Sequence, residues 1–175
     1  RYSVEMWSLP DCESGTYQDP SGLAVCIEAP PGSYADDPSA TSATVCPAGT
    51  YQPASGQASC IDAAGGHYVQ DEGSTSQTPC PAGTYNPSVG ATSDSECIQV
   101  TPGQYSGEGA SSPVDCSPGT YQPYSNQNSC LSADTGQFVA SSGSPSQTPC
   151  PPGAYQPSTG QSSCLSAGTG QFVAS

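Results

Sequence analysis

The stretch CPAGTYQPASGQASC, Cys46 to Cys60, decides how this chain folds. It holds two cysteines, a Pro-x-Gly turn, one aromatic residue and a second glycine. Gly and Pro at these intervals break helices and long strands alike. Gly supplies positive φ for a tight turn, and the Thr-Tyr-Gln that follows is β-prone. The stretch reads as a turn, a short strand carrying one aromatic, and a return closed by its own cysteines. The same pattern recurs in CPPGAYQPSTGQSSC, Cys150 to Cys164.

Outward from there, the triplet Gly-x-aromatic recurs ten times. Its aromatics are Tyr17, Tyr34, Tyr51, Tyr68, Tyr85, Tyr105, Tyr121, Phe138, Tyr155 and Phe172, and seven of the nine intervals are 17 residues. Fixed periods of this kind mark repeat architectures. In PPGSY, TPGQY, SPGTY and PPGAY, Pro and Gly take the two central positions of a type II turn. The regular aromatics are expected to form the core of a thin repeat. Tyr124 lies off the register and is expected to be exposed.

A superperiod of 34 residues lies on top of the module. Alternate modules are bracketed by cysteines, and those between have none. At the vacant positions stand Ala29 and Ala43, Ala63 and Gln77, Val100 and Pro113, and Ala133 and Gln147. Both cysteines are missing together each time, as expected of residues bonded to each other. The pattern predicts Cys12–Cys26, Cys46–Cys60, Cys80–Cys97, Cys116–Cys130 and Cys150–Cys164. The rival ladder, starting Cys26–Cys46, strands Cys12 and Cys164. Each predicted bond closes a loop of about 15 residues, worth roughly 3 kcal/mol in chain entropy. Unstapled modules must then be held by their neighbours, as in a solenoid.

Composition explains the need for staples. Of 175 residues only 18 are Leu, Ile, Val or Phe, against 20 Gly and 19 Pro. A large hydrophobic core is excluded. The expected fold is small, disulfide-rich and β/irregular: an elongated linear array of turn–strand modules, about 17 residues each, with essentially no helix. Residues 12–175 form the array, with the last module incomplete. Residues 1–11 form a strand-like segment.

Charge excludes several functions. Arg1 is the sole basic residue and the net charge is −14, so phosphate-neutralising nucleic-acid binding is ruled out. Polybasic attachment to anionic lipid fails likewise. No apolar run approaches the roughly 20 residues of a membrane span, and RYSVEMWSLP does not read as a secretory signal. Disulfides place the chain in an oxidising, extracellular compartment. Zinc would want CxxC or Cys/His sets, whereas the chain has no CxxC and one histidine, His67. His67 stands at a variable position and reads as a surface residue. Without lysine or a free thiol, and without room for a pocket, no enzyme is expected.

The motif C-P-x-G-T-Y-x-P-x-x-G-x-x-x-C resembles the ephrin-receptor-like cysteine-rich repeat, a relative of the tumour-necrosis-factor-receptor type of module. The resemblance covers residues 12 to 172 and is carried by the ten cysteines with the Gly-x-aromatic triplets. It departs from the family by losing alternate cysteine pairs. The resemblance implies an extracellular role, in receptor ectodomains or in long surface, adhesive and appendage proteins.

Three surface expectations follow. Ser and Thr beside Pro, at Thr78, Thr101, Ser112, Ser117, Ser144 and Thr148, are candidate O-glycosylation sites, since such composition in a secreted chain favours O-linked sugar. Asp36-Asp37 and Asp71-Glu72 read as a solvated acidic face rather than a calcium site, and no cofactor is expected. Tyr2, Val4, Met6, Trp7 and Leu9 are either an assembly arm, docking on the open last module of a neighbour, or the end of an upstream repeat. An open head-to-tail contact makes filaments. The expected role is a structural subunit of an extracellular filament or surface appendage, glycosylated and self-associating. The alternative is the stalk or ligand-binding ectodomain of a receptor or adhesin.

Overall fold

Each repeat begins with a turn that the sequence dictates. Thr50 N–H donates to Pro47 O, Ser33 to Pro30 O, Gln104 to Thr101 O and Thr120 to Ser117 O, at 2.9–3.1 Å. The glycine at the third position, such as Gly32 (φ 79°) or Gly49 (φ 85°), takes the left-handed conformation that a type II turn requires. In a computed structural model that describes residues 11–21 and 25–168, such turns launch a series of antiparallel hairpins.

The hairpins follow chain order. β1 (Thr16–Gln18) pairs with β2 (Cys26–Glu28), β3 (Ser33–Tyr34) with β4 (Thr44–Val45), and β5 (Thr50–Tyr51) with β6 (Ile61–Asp62). β7 (His67–Tyr68) pairs with β8 (Thr78–Pro79), and β9 (Thr84–Tyr85) with β10 (Ile98–Gln99). β11 (Gln104–Tyr105) pairs with β12 (Val114–Asp115), and β13 (Thr120–Tyr121) with β14 (Leu131–Ser132). β15 (Gln137–Phe138) pairs with β16 (Thr148–Pro149), and β17 (Ala154–Tyr155) with β18 (Leu165–Ser166). Among the described residues the only helical piece is one 3-10 turn, Asp94–Glu96, inside the longest cysteine loop. This is a disulfide-rich, essentially helix-free repeat fold.

All ten cysteines lie among the described residues and are paired as Cys12–Cys26, Cys46–Cys60, Cys80–Cys97, Cys116–Cys130 and Cys150–Cys164. Each bond ties the residue just before the turn to the return side of its own hairpin, with Cα atoms 5.7–5.8 Å apart.

The chain forms two compact units. The first comprises the described residues up to Ala64 with Tyr68–Thr78 and Val89–Ser93. The second comprises Gly65–His67, Pro79–Ser88 and the described residues from Asp94 onward. Within the first unit, Gly15 N–H donates to Ala35 O, Gly32 to Gln52 O and Gly49 to Val69 O, each 2.7 Å. Cys46 N–H and Ala63 N–H return bonds to Gly32 O and Gly49 O. Within the second, Gly66, Gly83, Gly103 and Gly119 donate to the carbonyls of Asn86, Ser106, Gln122 and Val139. Successive hairpins are thus stitched backbone to backbone, which satisfies polar groups that strands of two residues would leave bare.

The core between hairpins is thin and built from small side chains. One register holds Cys12, Ala29, Cys46, Ala63, Cys80, Val100, Cys116 and Ala133. The other holds the residue after the aromatic from Tyr34 to Tyr155: Ala35, Gln52, Val69, Asn86, Ser106, Gln122, Val139 and Gln156. The aromatics themselves are not the core. Tyr17, Tyr34, Tyr51, Tyr68, Tyr85, Tyr105, Tyr121 and Phe138 are half-buried, and Tyr155 is 37% exposed. Phe172 lies outside the described residues. The correction has a physical cause at the turn glycines. A Cβ on Gly103 would overlap Gly143 O, and one on Gly119 would overlap Gly160 O. Backbones meeting this closely leave a gap fit for Ala, Cys, Val or a flat amide, too narrow for a ring.

Candidate functional site

The described hairpins present a repeating surface. Register fixes that surface. In the stapled modules the aromatic lies across the hairpin from an aliphatic: Tyr17 from Ile27, Tyr51 from Ile61, Tyr85 from Ile98, Tyr121 from Leu131 and Tyr155 from Leu165. In the unstapled modules the partner changes: Tyr34 faces Thr44, Tyr105 faces Val114 and Phe138 faces Thr148. Thr78 lies in β8, beside the strand that carries Tyr68. Directly opposed residues share a face, with Cβ atoms roughly 5 Å apart. The facing Ile61, Ile98, Leu131 and Leu165 stay 45–48% exposed, so one apolar pair recurs on alternate modules.

Buried side-chain clamps hold this surface in place, and the sequence reading missed them. Gln52, Gln122 and Gln156 of the Tyr-Gln-Pro motif sit inside the cysteine loops. Their Nε2 groups donate to Ser59, Ser129 and Ser163 carbonyls at 2.7–2.8 Å. Their Oε1 atoms accept from the backbone of Ala54, Tyr124 and Ser158. The only available signal was the recurrence of Gln after the aromatic in stapled modules. Asn86 takes this place in the long Cys80–Cys97 loop. Its Oδ1 accepts from Ser88 N–H, while its Nδ2, buried, has no partner among the described residues.

Two unstapled modules carry a different clamp where the second cysteine would stand. Gln77 Oε1 accepts from Ala64 N–H at 2.8 Å, and Gln147 Oε1 from Asp134 N–H at 2.7 Å. Gln147 Nε2 also donates to Asp134 Oδ2 at 2.6 Å. Hydrogen bonds thus span the gap that a cystine spans next door.

The candidate glycosylation residues divide by their hydroxyls. Thr101 Oγ1 donates to Gln104 Oε1 and Ser144 Oγ to Ser141 O, so both are engaged. Thr78, Ser112, Ser117 and Thr148 are exposed, and their hydroxyls have no hydrogen bond among the described residues. The threonines that open strands in stapled modules are tied: Thr16, Thr50, Thr84 and Thr120 donate to the carbonyl three residues back.

The acidic pairs do not converge. Asp37 Oδ1 accepts from Ser39 N–H and Oγ at 2.7–2.8 Å, which holds its carboxyl below the usual range. Among the described residues no three acids, cysteines or histidines gather as a metal set. Asp71 and Glu72 line an open polar groove with Tyr68, Ser74 and Thr78. His67, expected on the surface, is half-buried: Gly109 packs against its ring and Nδ1 lies 3.3 Å from Gly65 O. Tyr124 stands 67% exposed. The arm residues Tyr2, Val4, Met6, Trp7 and Leu9 lie outside the described residues.

Residues 44–80 match the family described as tyrosine-protein kinase ephrin type A/B receptor-like. This segment is an ephrin-receptor-like cysteine-rich repeat. It spans one superperiod, running from β4 through the Cys46–Cys60 module to the first cysteine of the next stapled module. The ephrin-receptor-like repeat is an extracellular type of module, and five closed cystines agree with an oxidising compartment. No curated protein matches the chain significantly. No helix among the described residues is long and apolar enough to cross a membrane.

Proposed function

We propose that the chain is structural material: a non-catalytic, self-associating subunit of an extracellular filament or surface appendage, carrying O-linked sugar. The observation that carries this reading is the uniformity of the exposed face. Tyr51–Ile61, Tyr85–Ile98, Tyr121–Leu131 and Tyr155–Leu165 repeat one pair at one register. A recognition surface concentrates its binding energy in a few singular anchors. Hairpins that present the same half-exposed pair module after module suit contacts between copies. Net charge of −14 favours assembly at higher ionic strength, where repulsion between copies is screened. The test is electron microscopy of the purified chain over a range of concentration and salt. Filaments that grow with both support the reading. Discrete monomers at high concentration refute it and leave the receptor or adhesin stalk as the better account.

A further inference from the structure

We propose that Thr44, Thr78 and Thr148 are O-glycosylation sites, each carrying a sugar on Oγ1 that lies over the aromatic ring of the neighbouring strand. The inference rests on the extracellular reading above but needs no filament. Three observations single these residues out from the other hydroxyls. All three are exposed on short return strands, β4, β8 and β16. Their hydroxyls form no hydrogen bond among the described residues, whereas those of Thr16, Thr50, Thr84 and Thr120 are spent on turn carbonyls. Each lies on the strand paired with that of an aromatic, where the stapled modules put an aliphatic. Thr44 is opposite Tyr34, Thr148 is opposite Phe138, and Thr78 is on the strand paired with that of Tyr68.

The contrast with the stapled modules supplies the logic. There the same cross-strand position holds Ile27, Ile61, Ile98, Leu131 or Leu165, which has no hydroxyl to modify. The threonine places a hydroxyl beside the half-buried ring instead. A hexose or hexosamine attached at Oγ1 can lay its C–H face on that ring, since opposed residues have Cβ atoms roughly 5 Å apart. The module of Tyr105 has Val114 in place of threonine and is the built-in exception.

The reaction is a glycosyl transfer by a separate secretory-pathway enzyme. Thr Oγ1 attacks the anomeric carbon of a nucleotide-activated hexose or hexosamine. The C1–Oγ1 bond forms, and the bond from C1 to the diphosphate oxygen breaks. The nucleoside diphosphate leaves with the electron pair, and the hydroxyl proton passes to the transferase's base.

The experiment uses the full chain secreted from cultured eukaryotic cells, with site mapping by electron-transfer fragmentation mass spectrometry. Hexose or hexosamine mass is expected on Thr44, Thr78 and Thr148, and none on Thr16, Thr50, Thr84 or Thr120. Thr78→Val and Thr148→Val should each remove one site's mass while the five cystines and the circular dichroism stay unchanged. Bare threonines at all three positions, or sugar on the tied threonines in their stead, overturn the assignment. NMR cross-peaks between sugar protons and the Phe138 ring are expected, and their absence from the occupied chain overturns the stacking. The map is read on dispersed chains. A bare map therefore leaves the filament reading standing, and monomers in the microscope leave the map standing.

Discussion

Replacing one staple by the clamp of its unstapled neighbours tests the energetics directly. Cys116 is fully buried, and the equivalent Ala29, Ala63 and Ala133 are buried without strain in the same register. Cys116→Ala/Cys130→Ala therefore removes the cross-link without a steric clash. What is lost is the closure of a 14-residue separation, about 3 kcal/mol. In Cys116→Ala/Cys130→Gln the new amide falls where Gln77 and Gln147 fall, and Ser117 supplies the N–H that Ala64 and Asp134 supply there. That bond should restore about 1 kcal/mol. The same exchange at Cys46 and Cys60 should restore nothing, because residue 47 is a proline without an N–H. Native-state hydrogen exchange reads the effect locally, at Gly119 N–H, which donates to Val139 O at 2.8 Å. Protection should fall roughly a hundredfold in the double alanine variant and recover roughly fivefold with glutamine. Unchanged protection in the alanine variant, or equal recovery at both sites, would refute the claim that alternate modules are closed by interchangeable devices.

Other expectations follow from the same geometry. Gly119→Ala combines a left-handed φ of 89° with overlap on Gly160 O, so it should cost clearly more than Gly136→Ala, whose added Cβ meets nothing; the second should cost only about 1–2 kcal/mol. Urea titrations of the two variants decide this, and equal losses would remove close backbone packing from the account. Gln52→Ala should destabilise by about 1–2 kcal/mol by removing two hydrogen bonds, to Ser59 O and from Ala54 N–H, that a buried side chain makes to an exposed loop, with thermal unfolding as the measure. Asn126 (φ 61°) holds a place taken elsewhere by Gly56, Gly73, Gly90, Gly109, Gly143 and Gly160; Asn126→Gly should be near neutral and Asn126→Val destabilising in the same assay. Asp37 is held below the ordinary carboxylate range by the Ser39 backbone N–H and hydroxyl, and Asp19 by Ser21. A depressed folded value means the stability these groups add is complete above the unfolded carboxylate pKa. It is lost as pH falls through the lower folded one. NMR titration of Ser39→Ala should move Asp37 back upward.

Much of this was legible in the letters alone. The 17-residue period, the type II turns at Pro-Gly and the short strands after them are local, fixed by backbone preferences within four or five residues. The cysteine pairing was legible too, because the vacant positions come in pairs: Ala63 with Gln77, Ala133 with Gln147. Burial was not legible. The aromatic is the largest apolar residue in each module, so sequence reasoning placed it in the core, yet Gln52, Asn86 and Ser106 are the buried ones. Which side faces inward depends on how closely one hairpin approaches the next. That distance is set where a glycine of one module meets a carbonyl about forty residues on, as at Gly15 and Gly56. Hairpins packed at backbone contact admit small aliphatic or flat polar groups between them, and the rings are left at the rim. The sequence by itself determined the repeat, its turns and its covalent staples. Tertiary packing alone decided the inside, since the width of a gap between two backbones is written in neither of them separately.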